Sequence, residues 1–174
     1  MSLQVRDSRF EDVPTIGEIY AHWVLHGFGT FELEPPDETD IANRRCAILA
    51  SGFPHLVAED RNGGVLGYAY AGPYRQRPGY CFSCENSVYV APDATGHGIG
   101  RALLAGLIER CDAKGLRLMV AVIGDSENHA SIGLHRAMGF ARAGRLPAVG
   151  WKHGRWVDTV FMTRPLGPGP STAP

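Results

Sequence analysis

Apolar positions along the chain change their spacing from segment to segment, and the changes mark out the elements. A short strand is expected to begin at Val5-Arg6. Val13, Ile16, Ile19, Tyr20, Trp23 and Val24 then recur every three or four positions, which predicts an amphipathic helix. The polar turn Glu34-Pro35-Pro36-Asp37 interrupts the pattern, and a second helix is expected through about Ser51, with Asp37 or Thr39 as its N-cap. Residues 56–58 and 65–70 flank Asn62-Gly63-Gly64 and read as a hairpin, and a further strand is expected over 80–90. A glycine-rich loop, Thr95-Gly96-His97-Gly98-Ile99-Gly100, opens a helix with Leu103, Leu104, Leu107, Ile108 and Cys111 on one stripe, stopped near Gly115. The fully apolar run 118–123 suits a central strand. A helix over 128–138 closes at Gly139, and strands over 140–145 and 157–163 finish the body. Residues 165–174 carry four prolines in ten positions and are expected to fray. Strands with interspersed helices indicate one mixed α/β sheet domain over residues 1–164, followed by this Pro/Gly-rich tail.

Composition removes several classes. Seventeen Lys+Arg against eighteen Asp+Glu leave a net charge of −1, so the uniform positive field of non-specific nucleic-acid binding is missing and no nucleic-acid partner is expected. The apolar runs 102–108 and 118–123 fall far below the roughly 18 residues of a membrane span. The first residues lack a charged-then-apolar signal pattern, and a cytoplasmic location is expected. Cys81-Phe82-Ser83-Cys84 has the C-x-x-C spacing of metal and redox sites, but no second pair supplies the remaining ligands. On a strand, residues three apart point to opposite faces, so structural thiols and no bound metal are expected.

The most informative stretch is Ser87-Val88-Tyr89-Val90 emptying into the glycine-rich loop. Unpaired N–H groups at a helix start favour an anion, and glycine lets the backbone approach phosphate oxygens closely. Gly96, His97, Gly98, Ile99, Gly100 and Arg101 form this candidate cradle. The loop lacks the Gly-Lys-Ser/Thr ending of a P-loop, and G-x-G-x-G is not the dinucleotide spacing. By itself the loop is equally compatible with a flexible turn that caps a helix.

The order strand, glycine-rich turn, amphipathic helix, buried strand, then Asn128-His129-Ala130-Ser131 and Leu134-His135-Arg136-Ala137-Met138-Gly139-Phe140 resembles the GNAT superfamily of acyl-CoA-dependent N-acetyltransferases. Gly98 and Gly100 match that family's R/Q-x-x-G-x-G/A turn, while Thr95 stands in place of its Arg or Gln. Tyr68 to Tyr74, Glu85 to Val90, Val120 to Ile123 and Gly150-Trp151-Lys152-His153-Gly154-Arg155-Trp156 resemble the phosphinothricin and methionine-sulfoximine acetyltransferase branch, and the likeness covers about residues 3–164. The resemblance implies a GNAT fold, with a mixed, mostly antiparallel central sheet flanked by helices on both faces. It also implies acetyl-CoA as co-substrate, a small amino acid as acceptor and a homodimer. A splay beside Val88, Tyr89 and Val90 would admit the pantetheine arm, and Asn128 and Ser131 would border the cofactor.

Glu85, read alone, is a surface strand carboxylate. The resemblance makes it the general base that deprotonates the acceptor amine, and partial burial would raise its pKa. His135 follows Asn128 and Ser131 on one helix face. It is either the acid that protonates the departing thiolate or a helix-surface histidine satisfied by its neighbours. The branch places acceptor contacts at Arg75, Gln76 and Arg77 and at Glu85, Asn86 and Ser87; Tyr80 and Phe31 are further acceptor candidates, and Phe28 and Tyr89 possible walls. Arginine forks suit carboxylate and phosphinate oxygens. Competing readings are a GNAT enzyme for a peptide N-terminus, polyamine or aminoglycoside, and a non-catalytic acyl-CoA sensor. Arg75 and Arg77 oppose the cationic acceptors.

Overall fold

The computed structural model describes residues 3–173. Its centre is a seven-stranded sheet in the order β1-β2-β3-β4-β5-β7-β6. The strands are β1 (Gln4–Asp7), β2 (His55–Glu59), β3 (Val65–Pro73), β4 (Ser83–Val90), β5 (Leu118–Gly124), β6 (Ala141–Lys152) and β7 (Arg155–Pro165). The helices are α1 (Val13–His26), α2 (Glu38–Ala50), α3 (Ile99–Ala113) and α4 (His129–Ala137). Among the described residues β4 and β5 are the one parallel pair, and every other neighbouring pair is antiparallel. The sheet is mixed and mostly antiparallel, as the resemblance implied.

Strand alternation sorts the side chains to two faces. Leu56, Ala58, Ala69, Ala71, Cys84, Met119 and Ala121 point to α3, whose Leu103, Leu104, Leu107 and Cys111 cover them. Val57 and Tyr68 point the other way, onto Val13, Ile16, Ile19, Tyr20 and Val24 of α1 and Ile41 of α2. Each fully buried leucine or isoleucine here contributes about 2 kcal/mol of apolar burial. Asp37 caps α2, its Oδ1 accepting the Asp40 N–H at 2.8 Å.

Three segments differ from the expectation. β4 begins at Ser83 and not at Tyr80, because Pro78 starts a single 3-10 turn (Pro78–Tyr80) and proline has no N–H for the ladder. β6 and β7 are longer than expected. Pro147 and Gly150 would interrupt a regular ladder, but the register shifts between Arg142 and Gly144 and between Leu146 and Gly150 let the pairing continue. The hairpin closes at His153-Gly154, where φ is 47° and 77°, the left-handed pair that a tight antiparallel turn requires. Finally, the proline-rich tail is not frayed. Leu166 is buried in the core, its N–H donates to the Arg117 carbonyl at 3.0 Å, and the Arg117 guanidinium donates to Gly169, Thr172 and Ala173. Proline forbids regular structure there without forbidding docking.

Candidate active site

β4 and β5 pair only from Ser83↔Leu118 to Asn86↔Ala121. β4 then continues to Val90 and β5 to Gly124 without facing each other, so the sheet forks at its middle. A cavity of about 690 Å³ occupies the fork and is lined from both faces of the sheet. Val88, Val90, Ala121 and Ile123 line it on the α3/α4 side; Ser87 and Tyr89, with Trp23, Phe28 and Gly29, line it on the α1 side. The loop after α1 bridges the open mouth. Trp23 Nε1–H donates to the Val90 carbonyl at 2.8 Å, and the Phe28 carbonyl lies so close over Gly124 that no Cβ fits there.

The N-terminus of α3 opens into this cavity. Gly98 holds φ at 81° and is an N-cap with no capping side chain. The first backbone bond of the helix runs from the Ala102 N–H to the Gly98 carbonyl, which leaves the N–H groups of Ile99, Gly100 and Arg101 unpaired, at the positive end of the helix dipole. Gly96, Gly98, Ile99, Gly100 and Arg101 all line the cavity, whereas His97 turns aside and donates Nδ1–H to the Thr95 carbonyl at 2.9 Å. The free amides, the unpaired strand edges and the largely apolar walls fit a diphosphate with a long, narrow arm.

Asn128 and Ser131 also line the cavity, but the Asn128 Oδ1 is spent capping α4 by accepting the Ser131 N–H at 3.1 Å. Its Nδ2–H₂ makes a long contact of 3.5 Å with the Gly124 carbonyl, which leaves one N–H for a ligand. His135 is buried and is not a helix-surface histidine. Its Nδ1–H donates to the Ser131 carbonyl at 2.8 Å, and its Nε2 lies 3.0 Å from Asn86 Oδ1. Asn86 Nδ2–H₂ donates to the Val120 carbonyl at 3.2 Å. Both ring nitrogens thus face oxygen acceptors, an arrangement that suits a doubly protonated ring, while burial works against that charge and lowers the His135 pKa. This strut ties α4, β4 and β5 together at the last paired residues before the fork. The Asn86 side chain is therefore engaged by protein and not offered to an acceptor.

On the opposite face, Glu85, Ser87 and Tyr89 alternate along β4. Glu85 is partly buried. Burial pushes its carboxyl above the usual range, and the Arg75 guanidinium pulls it part of the way back. Gln76, Arg77 and Tyr80 lie exposed in the loop between β3 and β4, outside the cavity lining. Phe31 lines a second, shallower groove with Val122 and Phe161. Cys84 is buried and Cys81 exposed. Among the described residues no three His, Cys, Asp or Glu side chains gather as metal ligands.

The sequence offered Phe28 as a pocket wall, and the structure places it in the cavity lining, but Trp23, Gly29 and Gly124 went unread. Trp23 sits on the apolar stripe of α1, which hides its bond to β4. Gly124 shows only as a glycine ending a strand, and its reason lies in a residue almost a hundred positions away.

With this geometry in place, comparison with known proteins gives the class. The model of the acetyltransferase (GNAT) family matches residues 18–140, and the chain belongs to that family. It is an acetyl-CoA-dependent N-acetyltransferase. More particularly, it is 53% identical over 170 residues to a phosphinothricin N-acetyltransferase from Alcaligenes faecalis, covering 98% of this chain and 86% of that protein. It is 45% identical over 171 residues to an L-methionine sulfoximine/L-methionine sulfone acetyltransferase from Pseudomonas paraeruginosa, covering 97% of each. The crystal structure of a phosphinothricin acetyltransferase from Sinorhizobium meliloti in complex with AcCoA superposes with a TM-score of 0.97 at 48% identity, over 100% of this chain and 94% of that one.

Proposed function

We propose that this enzyme moves the acetyl group of acetyl-CoA to the α-amine of a small amino acid such as phosphinothricin, methionine sulfoximine or methionine sulfone. The cavity that passes through the sheet at the fork carries the reading: donor and acceptor reach one another there from opposite faces. Val88, Tyr89 and Val90, the loop and first-turn amides from Gly96 to Arg101, Asn128 and Ser131 hold the donor. Glu85, raised in pKa by burial, takes the proton of the acceptor's ammonium and leaves a neutral amine within reach of the thioester carbonyl. The amine nitrogen bonds the carbonyl carbon, and strand N–H groups freed at the fork stabilise the resulting oxyanion. The carbon–sulfur bond then breaks, the nitrogen gives up its remaining extra proton to water, and the thiolate takes one up, with His135 as the candidate source. Arg75 stands on the acceptor side to receive a carboxylate or phosphinate oxygen, with Gln76, Arg77 and Tyr80 on the rim and Ser87 and Phe31 on the wall.

An assay of coenzyme A release across an amine panel tests this. Turnover with methionine sulfone, methionine sulfoximine or phosphinothricin supports it. Turnover confined to peptides, polyamines or aminoglycosides overturns the substrate assignment, and saturable acetyl-CoA binding with no turnover makes the chain a sensor. We further infer a homodimer, as the resemblance implies. Leu146, Val149, Trp151 and Trp156 are exposed on the β6–β7 hairpin beside Phe31 and Leu33, an apolar surface suited to a second copy. Light scattering at the monomer mass would remove that inference. The four free thiols fit a reducing compartment, in line with a cytoplasmic location.

A further inference from the structure

The tip of the β6–β7 hairpin reaches across to the segment after α1, which Gly150, Lys152, His153 and Arg155 all touch. The Phe31 ring lies over Gly150 where a Cβ would stand. The His153 ring meets Phe28 edge-on, with centroids 5.3 Å apart. The Arg155 guanidinium lies 4.0 Å over the same Phe28 ring and pairs with Asp125. Between these, Lys152 is 1% exposed and its Nζ donates to the Thr30 carbonyl at 2.8 Å.

A buried ammonium ordinarily has a carboxylate of its own. The carboxylate that acts on Lys152 is Glu32, which is already committed: it accepts Arg44 at 2.6 and 3.2 Å and the Tyr20 hydroxyl at 2.8 Å. Among the described residues Lys152 makes no ion pair, and burial lowers its pKa with Glu32 in partial opposition. As a contribution to stability the arrangement is a costly one, since the ammonium is buried without a carboxylate of its own. What only the ammonium supplies is a directional donor at one carbonyl. Thr30 is buried too, its Oγ1 joined to the Tyr20 hydroxyl at 2.9 Å. On one side of it Gly29 lines the fork cavity, and on the other Phe31 lines the shallow groove.

We propose that Lys152 is a positioning residue for the acceptor: by gripping the Thr30 carbonyl it fixes residues 28–32 as the wall of the α1-side mouth of the cavity. The inference rests on the acetyl-transfer reading above and adds to it a group that touches neither substrate. It predicts a separation that an ordinary core residue does not give. In the full chain, Lys152→Met raises the KM of the acceptor by about tenfold, the weight of one hydrogen bond from a charged donor. The acetyl-CoA affinity stays within experimental error, the Tm falls by a few degrees at most, and deuterium uptake rises at residues 27–33 while the sheet stays protected. An unchanged acceptor KM overturns the inference, and so does a larger fall in Tm with uptake spread over the sheet, because either result makes Lys152 a plain packing residue. Should Lys152→Met fail to fold, Gly150→Ala pushes Phe31 from the hairpin side. It must raise the same KM and spare acetyl-CoA binding, and no change in that KM sinks the proposal. The two readings fail separately: an inactive wild type across the amino-acid panel removes the substrate assignment, while deuterium uptake at 27–33 in the lysine variant still judges the grip on the wall.

Discussion

In the proposed reading, the two faces of the sheet build their halves of the site from different materials. On the α3/α4 face the donor half is mostly backbone: N–H groups at a helix start and strand edges left open by the fork. On the α1/α2 face the acceptor half is side chains: Glu85 and Tyr89 on β4, with Arg75 nearby and the 28–32 segment held by the Lys152 donor at the Thr30 carbonyl. A backbone site grips what every acyl-CoA shares, so it tolerates sequence change wherever the local conformation is kept. A side-chain site changes with each substitution, and acceptor choice is drawn from that face.

Variants can break this division. The largest effect is expected from Glu85→Gln, which lowers kcat by about a hundredfold and flattens its pH dependence. Calorimetric affinity for acetyl-CoA should not move; a parallel loss of affinity would erase the separation of the halves, and unchanged turnover would remove Glu85 from the chemistry. Next comes acid sensitivity on the acceptor face. His55 is buried, stacked on Tyr68 and Tyr70, with its Nδ1 unpartnered, and burial lowers its pKa from 6.5 to about 4. Between those values the unfolded chain binds a proton that the folded chain refuses, so stability falls as pH drops from about 6.5 to about 4. The loss attributable to this ring is on the order of 3 kcal/mol by pH 4. Urea titrations of the wild type and His55→Phe at pH 7 and pH 4 check it, and an identical pH dependence in both would refute it. Gly98→Val is expected to be milder. No neighbour lies within 4 Å of the added Cβ, so the penalty is backbone strain at φ 81°. About tenfold weaker acetyl-CoA binding should follow, with the acceptor KM kept; intact affinity would sink the amide cradle. The smallest effect on the pH profile belongs to Arg75→Met, whose lost guanidinium also raises the acceptor KM. Losing that charge lets burial push the Glu85 pKa further up, so the acid limb of kcat/KM moves to higher pH. A limb that stays in place would detach Arg75 from Glu85.

Legibility in the sequence follows the same division. The apolar stripes at Val13–Val24 and Leu103–Cys111 and the run through 118–123 were readable because burial imposes a period. The glycine cradle was readable because only a few residue types permit a left-handed turn before a helix. The Asn86–His135 strut was half visible, as a polar strip on α4, but its partner on β4 was assigned to the acceptor. Glu85 owed its role to resemblance, since a strand carboxylate looks the same wherever it faces. Lys152 and Gly124 showed nothing of their function, because each is explained by a contact more than ninety positions away. The β6–β7 hairpin was underestimated because glycine and proline break a regular ladder in the sequence, while a bulged ladder accepts them.

Leu166 is a plug. It seals the end of the core after the last strand, and Arg117 fastens the few residues beyond it. A chain cut after Arg164 would keep nearly all of the sheet pairing yet open a leucine-sized hole among the apolar residues beneath α3, the helix whose first turn opens into the cavity. Trimming this proline-rich end is therefore felt at the opposite end of that helix, through the packing that seats it on the sheet.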